Sequence, residues 1–146
     1  MATASLIKAQ IKTYLDALKT AGTLGEVIED DFKRAIQDRD FANFPVAILQ
    51  TASIDCTIES TQSDLRDYGF EIIVLSLGDN TSSVTAIEDL QEAMLDKFAQ
   101  SPTLNGTCEK SIPASSALAP FTNRGRNYIV FKFTLQAQKI KQLTFV

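Results

Sequence analysis

The stretch from Asp67 to Phe98 constrains this chain more than any other: an apolar strand, a Gly-Asp-Asn turn and an amphipathic helix follow one another directly. In Tyr68-Gly-Phe-Glu-Ile-Ile-Val-Leu-Ser-Leu77, Phe70, Ile72 and Val74 alternate with Ile73, Leu75 and Leu77. Both faces are therefore apolar, as in a central strand covered on two sides. After Gly78-Asp79-Asn80, Ile87, Leu90, Met94, Leu95 and Phe98 recur at helical spacing. Thr85 and Glu88 are spaced as a capping box, with Ser83 as a competing N-cap. The helix is expected to run to about Gln100, closed by Pro102 and Gly106.

The remaining elements arrange themselves around this unit. Ile7, Ile11, Tyr14, Leu15 and Leu18 predict a helix over Ala4 to Thr20, with Gly22 as its C-terminal cap. A short strand is expected at Glu26 to Glu29, and a helical turn over Phe32 to Asp40. Phe44-Pro45 opens a strand from Val46 to Thr51. Ile54, Cys56 and Ile58 then alternate with Asp55, Thr57 and Glu59, the pattern of a half-buried strand. Ser60 to Asp67 reads as a polar loop, Thr107 to Ile112 as a strand, and Pro113 to Asn127 as a long loop. In the last strand, Tyr128 to about Gln138, Ile129, Phe131, Phe133, Leu135 and Ala137 share one face. The expectation is a single α+β domain spanning residues 1–146. It has one mixed or antiparallel sheet of about four to six strands, with two main helices packed on one face.

The helices are expected over the Ile73/Leu75/Leu77 and Phe131/Phe133/Leu135 side. Phe70, Ile72 and Val74 would then face the other way and form an apolar patch, unless Phe32 to Phe44 folds over them. Monomers rarely expose a large patch of this kind, so the pattern points to association.

The 146 residues suffice for a core without a metal or disulfide. No apolar run reaches the ~18 residues of a membrane span, and Met1-Ala-Thr-Ala-Ser does not open a secretory signal, so a cytoplasmic product is expected. The net charge of −4 argues against general affinity for nucleic acid. The two cysteines, Cys56 and Cys108, are expected to be reduced, buried thiols.

The sequence holds no histidine, which excludes Ser-His-Asp and Cys-His catalysis and the commonest zinc ligand. Glu29-Asp30-Asp31 and Glu88-Asp89 read as solvated loops and helix starts rather than metal ligands. Gly22-Thr-Leu-Gly25 lacks the Lys-Ser/Thr ending of a phosphate loop. Asn123-Arg-Gly-Arg-Asn127 offers Arg124 and Arg126 to an anion or to a neighbouring subunit's carboxylate. No enzyme activity, cofactor or metal is expected.

In order, the chain presents an N-terminal helix, a Phe-Pro-Val strand, a paired strand, a polar loop and Tyr68-Gly-Phe-Glu-Ile-Ile-Val. A turn, the helix Ile87-Glu-Asp-Leu-Gln-Glu-Ala-Met, a long loop and Arg126-Asn-Tyr-Ile-Val-Phe-Lys-Phe follow. This resembles the tail terminator (tail completion) proteins of long-tailed bacteriophages over most of the chain. The resemblance implies a structural virion protein at the head-proximal end of the tail, assembled in the bacterial cytoplasm. Copies, commonly six, close into a ring that caps the tail tube, stops its polymerisation and docks to the head. The implied partners are further copies of the chain, the tail tube protein and a head–neck connector protein. DNA passes through the lumen without specific binding, and no membrane is involved. Ring closure needs one patch to meet a different patch. The candidates are Phe70, Ile72 and Val74; Asp64, Arg66 and Asp67 of the polar loop; Arg124 and Arg126; and Phe145 in the tail. The alternatives are another neck or head-completion component, or a small anion-binding α/β domain.

Overall fold

The computed structural model describes residues 3–38, 41, 43–58, 63–77, 81–123 and 125–142. The elements are α1 (Thr3–Thr20), β1 (Glu26–Glu29), α2 (Phe32–Asp38), β2 (Val46–Ile58), β3 (Ser63–Leu77), α3 (Thr81–Ala99), β4 (Lys110–Ser115), β5 (Ala119–Asn123) and β6 (Arg126–Gln142). The strands form one mixed sheet in the order β1-β2-β3-β6-β4, with β5 also pairing β6. β1 lies parallel to β2 and the remaining pairs are antiparallel. This is the expected α+β class.

Local chemistry explains the helix ends. Gly22, at φ 85°, closes α1: its N–H donates to the Lys19 carbonyl and the Thr23 N–H to the Leu18 carbonyl, each at 3.0 Å. Those two bonds are the paired reverse turns that satisfy a helix C-terminus. Asp31 precedes α2 and accepts the Arg34 N–H at 3.4 Å, the N-cap role. The Phe44–Pro45 peptide bond is cis, and Val46 follows it directly into β2.

Two cores flank the sheet. Under α1 and α3, Ile7, Ile11, Leu15, Ile87, Leu90, Met94 and Phe98 pack on Ala47, Leu49, Phe70, Ile72, Val74, Phe131, Phe133 and Leu135. Phe98 meets Phe133 at 5.4 Å between ring centroids and Tyr14 at 5.7 Å. On the opposite side, Ala35, Ile36 and Phe41 cover Ile28, Val46, Ile48, Leu75 and Tyr128.

The expected exposed patch is therefore absent. Phe70, Ile72 and Val74 are 1%, 0% and 0% exposed and lie beneath the two long helices. Pairing register is the reason: Phe70 stands opposite Leu135, Ile72 opposite Phe133 and Val74 opposite Phe131. Residues directly opposite share a face, and a shift by one would exchange the faces. The expectation had β6 in the correct phase and β3 in the wrong one. The segment from Phe32 covers the sheet's second face, where Leu75 lies.

Several boundaries also differ: the strand expected at Thr107 to Ile112 is β4, Lys110–Ser115, and the last strand, expected from Tyr128 to about Gln138, is β6, Arg126–Gln142. β2 is one strand with a register shift between Thr51 and Ser53, rather than two strands. Ser63 to Asp67 belong to β3 rather than to the expected polar loop, whose residues 60–62 lie outside the described residues. The expected long loop holds the end of β4 and all of β5, which pairs with β6 from Ala119↔Val130 to Asn123↔Arg126. The residues of the Gly78-Asp79-Asn80 turn lie outside the described residues; α3 begins at Thr81, so Thr85 lies within the helix.

Candidate functional site

Strand length sets the shape of the exposed surface. α1 has 18 residues, and at 1.5 Å per residue it spans about 27 Å. β6 has 17 residues, and at 3.4 Å per residue it reaches about 58 Å. The strands therefore outrun their helices. The ends of β2, β3 and β6 form an arm, with Asp55↔Asp67↔Gln138, which β4 still joins at Lys110, and Cys56↔Arg66↔Lys139 as successive rungs. Here Ile54 is 56% exposed and Ile140 39%, although both are apolar.

The arm brings together three of the sequence-predicted residues. Asp64 is buried and accepts bonds from the Cys56 thiol (Sγ to Oδ2, 3.0 Å) and from Arg66 (Nε to Oδ2, 3.3 Å). The thiol bond is the main reason that the Asp64 carboxyl sits below its ordinary pKa, with Arg66 adding to it. The same bond is the main reason that the Cys56 thiol sits above its ordinary value. Cys56 is exposed, contrary to expectation, whereas Cys108 is buried and its thiol is pushed up chiefly by that burial. Asp67 stands opposite Asp55, and like charges in that position oppose pairing. The buried Oδ1 atoms of Asp64 and Asp67 have no hydrogen-bond partner among the described residues.

The other predicted residues do not converge on the arm. Phe70, Ile72 and Val74 are core. Arg126 is exposed at the start of β6, beside Gly125 at φ 76° in the β5–β6 turn. Arg124 and Phe145 lie outside the described residues.

A polar cleft of about 620 Å³ opens where β1 ends along β2, lined by Lys8, Glu29, Asp30, Asp31, Arg34, Gln50, Thr51 and Glu71. Several of its charged groups already have partners within the chain. Asp30 pairs with Arg34, Asp31 caps α2, and Glu71 accepts bonds from Gln50 (2.9 Å) and Lys132 (3.3 Å). A second, apolar crevice of about 210 Å³ lies between α3 and β5, lined by Val84, Leu118, Ala119, Pro120 and Ile129. Among the described residues no group of three or more His, Cys, Asp or Glu is placed to hold a metal ion, and no helix is long and apolar enough to cross a membrane.

Sequence reasoning missed Ile54, Cys56 and Ile140 as surface features. The signal was in the chain: the uninterrupted strand pattern through β3 and β6 is longer than any helix here can cover. Reading the period-two alternation as burial hid it, because alternation reports one apolar side and not what lies on it. No protein-family model matches the chain, and no curated protein matches it.

Proposed function

We propose that this chain is a structural subunit of a long-tailed phage or prophage, closing into a ring that caps the tail tube and offers the head its docking surface. The observation that carries the reading is the order of elements. An N-terminal helix, a strand entered through Phe44-Pro45, the Tyr68–Leu77 strand, the Ile87–Phe98 helix and a long final strand follow one another as in the tail terminator proteins.

Phe70, Ile72 and Val74 already serve the subunit's own core, so on this reading the ring contact is made elsewhere. The contact is assigned to the arm, with Arg66, held by the buried Asp64, and Asp67 on β3 and Ile140 on β6, and to Arg126 at the start of β6. A ring needs unlike surfaces to meet at each step. Arm and turn lie at opposite ends of β6, so they supply two such surfaces. The net charge of −4 suits a lumen through which DNA slides, because carboxylates repel the phosphate backbone.

Tail assembly with this protein withheld tests the proposal. The expected product is tail tubes of excess and uneven length without heads, restored to uniform length when the purified protein is added. Uniform tubes that join heads without it would overturn the reading.

A further inference from the structure

The sheet's edges are not equally protected. On the β4 side, the Ser111 N–H donates to the Pro102 carbonyl at 2.7 Å, and Pro113 has no N–H to offer. Nearby, the Ile140 N–H at the tip of β6 is taken by the Glu109 carboxylate at 3.0 Å. β5 carries Pro120. At the other edge, β1 is a strand of 4 residues and covers only Val46 to Leu49 of β2. Prolines, short strands and side-chain caps are the usual means of closing an edge to further pairing.

Ser53–Ile58 has none of them. It contains no proline and no lysine, and β1 stops short of it. Among the described residues, no hydrogen bond from outside the β2–β3 ladder is seen on its backbone. Its neighbours on the arm leave Ile54 and Cys56 exposed.

We infer that Ile54–Ile58 pairs antiparallel with the same segment of a second copy of this chain, about a two-fold axis at Cys56. The register follows from backbone geometry and charge. Residues directly opposite in an antiparallel ladder must both turn their N–H and C=O toward the partner or both turn them away. Those groups alternate along an edge, so the axis passes through a residue and never between neighbours. An axis at Asp55 sets two carboxylates opposite each other, and an axis at Thr57 carries the pairing of Asp55 past Ile58, the end of β2. An axis at Ile54 runs the pairing into the irregularity between Thr51 and Ser53. The axis at Cys56 avoids all three. It pairs Ile54 with Ile58 of the second copy and Asp55 with Thr57 of the second copy.

Ile54 stands opposite Tyr68, a member of the core beneath α1 and α3, so Ile54 and Cys56 lie on the helix-bearing face. A two-fold axis perpendicular to the sheet keeps that face on the same side in both copies. The two Ile54 side chains then leave water within one continuous sheet. The contact is independent of the ring reading, because a two-fold pairing is not a step around a ring. A ring built by sheet continuity would have to join β2 to the capped β4–β6 edge.

Sedimentation of the full-length chain over a concentration series tests the pairing, together with oxidation by diamide. In that oxidation the two thiols give up two protons and two electrons to the azo bond and form one disulfide. A monomer–dimer equilibrium is expected, with a covalent Cys56–Cys56 dimer that persists in C108S and is lost in C56S. I54K should weaken the dimer at least about tenfold while leaving the dilute protein's unfolding midpoint unchanged. If I54K does not fold, the C56S and C108S pair decides. A monomer at every concentration, a dimer that gives no Cys56–Cys56 bond, or a dimer indifferent to I54K would each overturn the inference. A ring that forms while Cys56 fails to cross-link would overturn it and leave the ring reading standing.

Discussion

The body of the sheet and its arm are built from the same three strands and obey different rules. In the body, β2, β3 and β6 are covered on both faces, and Leu49, Ile72 and Phe133 are fully buried. In the arm, β2 continues with alternating apolar residues and β6 carries Ile140, yet Ile54 and Ile140 meet solvent. Alternation is common to both regions; cover is not. Apolar surface stabilises this fold only where a helix can reach it, at about 1.5–3 kcal/mol for a fully buried large side chain.

The comparison breaks first if the body is not the seat of stability. Phe98→Ala removes a fully buried ring from between Tyr14 and Phe133. It should cost about 3–5 kcal/mol in urea-induced unfolding. A loss well under 1 kcal/mol would show that α3 is not anchored as described.

The next effect lies at the boundary of the two regions. A Cβ added to Gly69 would stand 2.7 Å from Ser53 Oγ and 3.2 Å from Gln136 Nε2, just where β2 shifts register. Gly69→Ala should therefore destabilise by about 1–3 kcal/mol, as overpacking does. Ser53→Ala in the same chain should return part of that loss. A double mutant no better than the single one would place the strain elsewhere.

On the arm the expected signature is a pH profile. The folded-state pKa of Asp64 is lowered, so its contribution is full above the ordinary carboxylate range and is lost as pH falls through the folded value. Cys56 is raised, so its contribution is full below the ordinary thiol range and is lost as pH rises through the folded value. Asp64→Asn should flatten the acid limb of stability against pH and speed labelling of Cys56 by a thiol reagent at mildly alkaline pH. An unchanged acid limb with unchanged labelling would show that the two groups do not interact. The smallest effect is expected at the tip: Ile140→Ser should change monomer stability by no more than about 0.5 kcal/mol, as surface changes do. A core-sized loss there would mean that the arm is covered after all.

Much of the fold was legible because it rests on local chemistry. The stripe Ile7, Ile11 and Leu15, the Gly22 cap, the short strand Glu26–Glu29 and the face shared by Phe131, Phe133 and Leu135 all appear as expected. The polar loop at Ser63–Asp67 was misread for a physical reason. Asp64, Arg66 and Asp67 put polar side chains on both faces of the strand, which is the composition of a loop. The candidate site was legible only in part. Asp64 and Arg66 do come together, but their partner Cys56 lies across the ladder, and no spacing along the chain reports that.

The sequence alone determined which residues share a side of each strand, because successive side chains on a strand alternate and no packing can alter that. Only the tertiary structure decided which side received α1 and α3, and how far along the strands they reached. Those outcomes depend on the register between β3 and β6 and on the lengths of elements distant in the chain. One step of register exchanges every face, so the same alternation serves equally for a surface patch and for the core that Phe70, Ile72 and Val74 form.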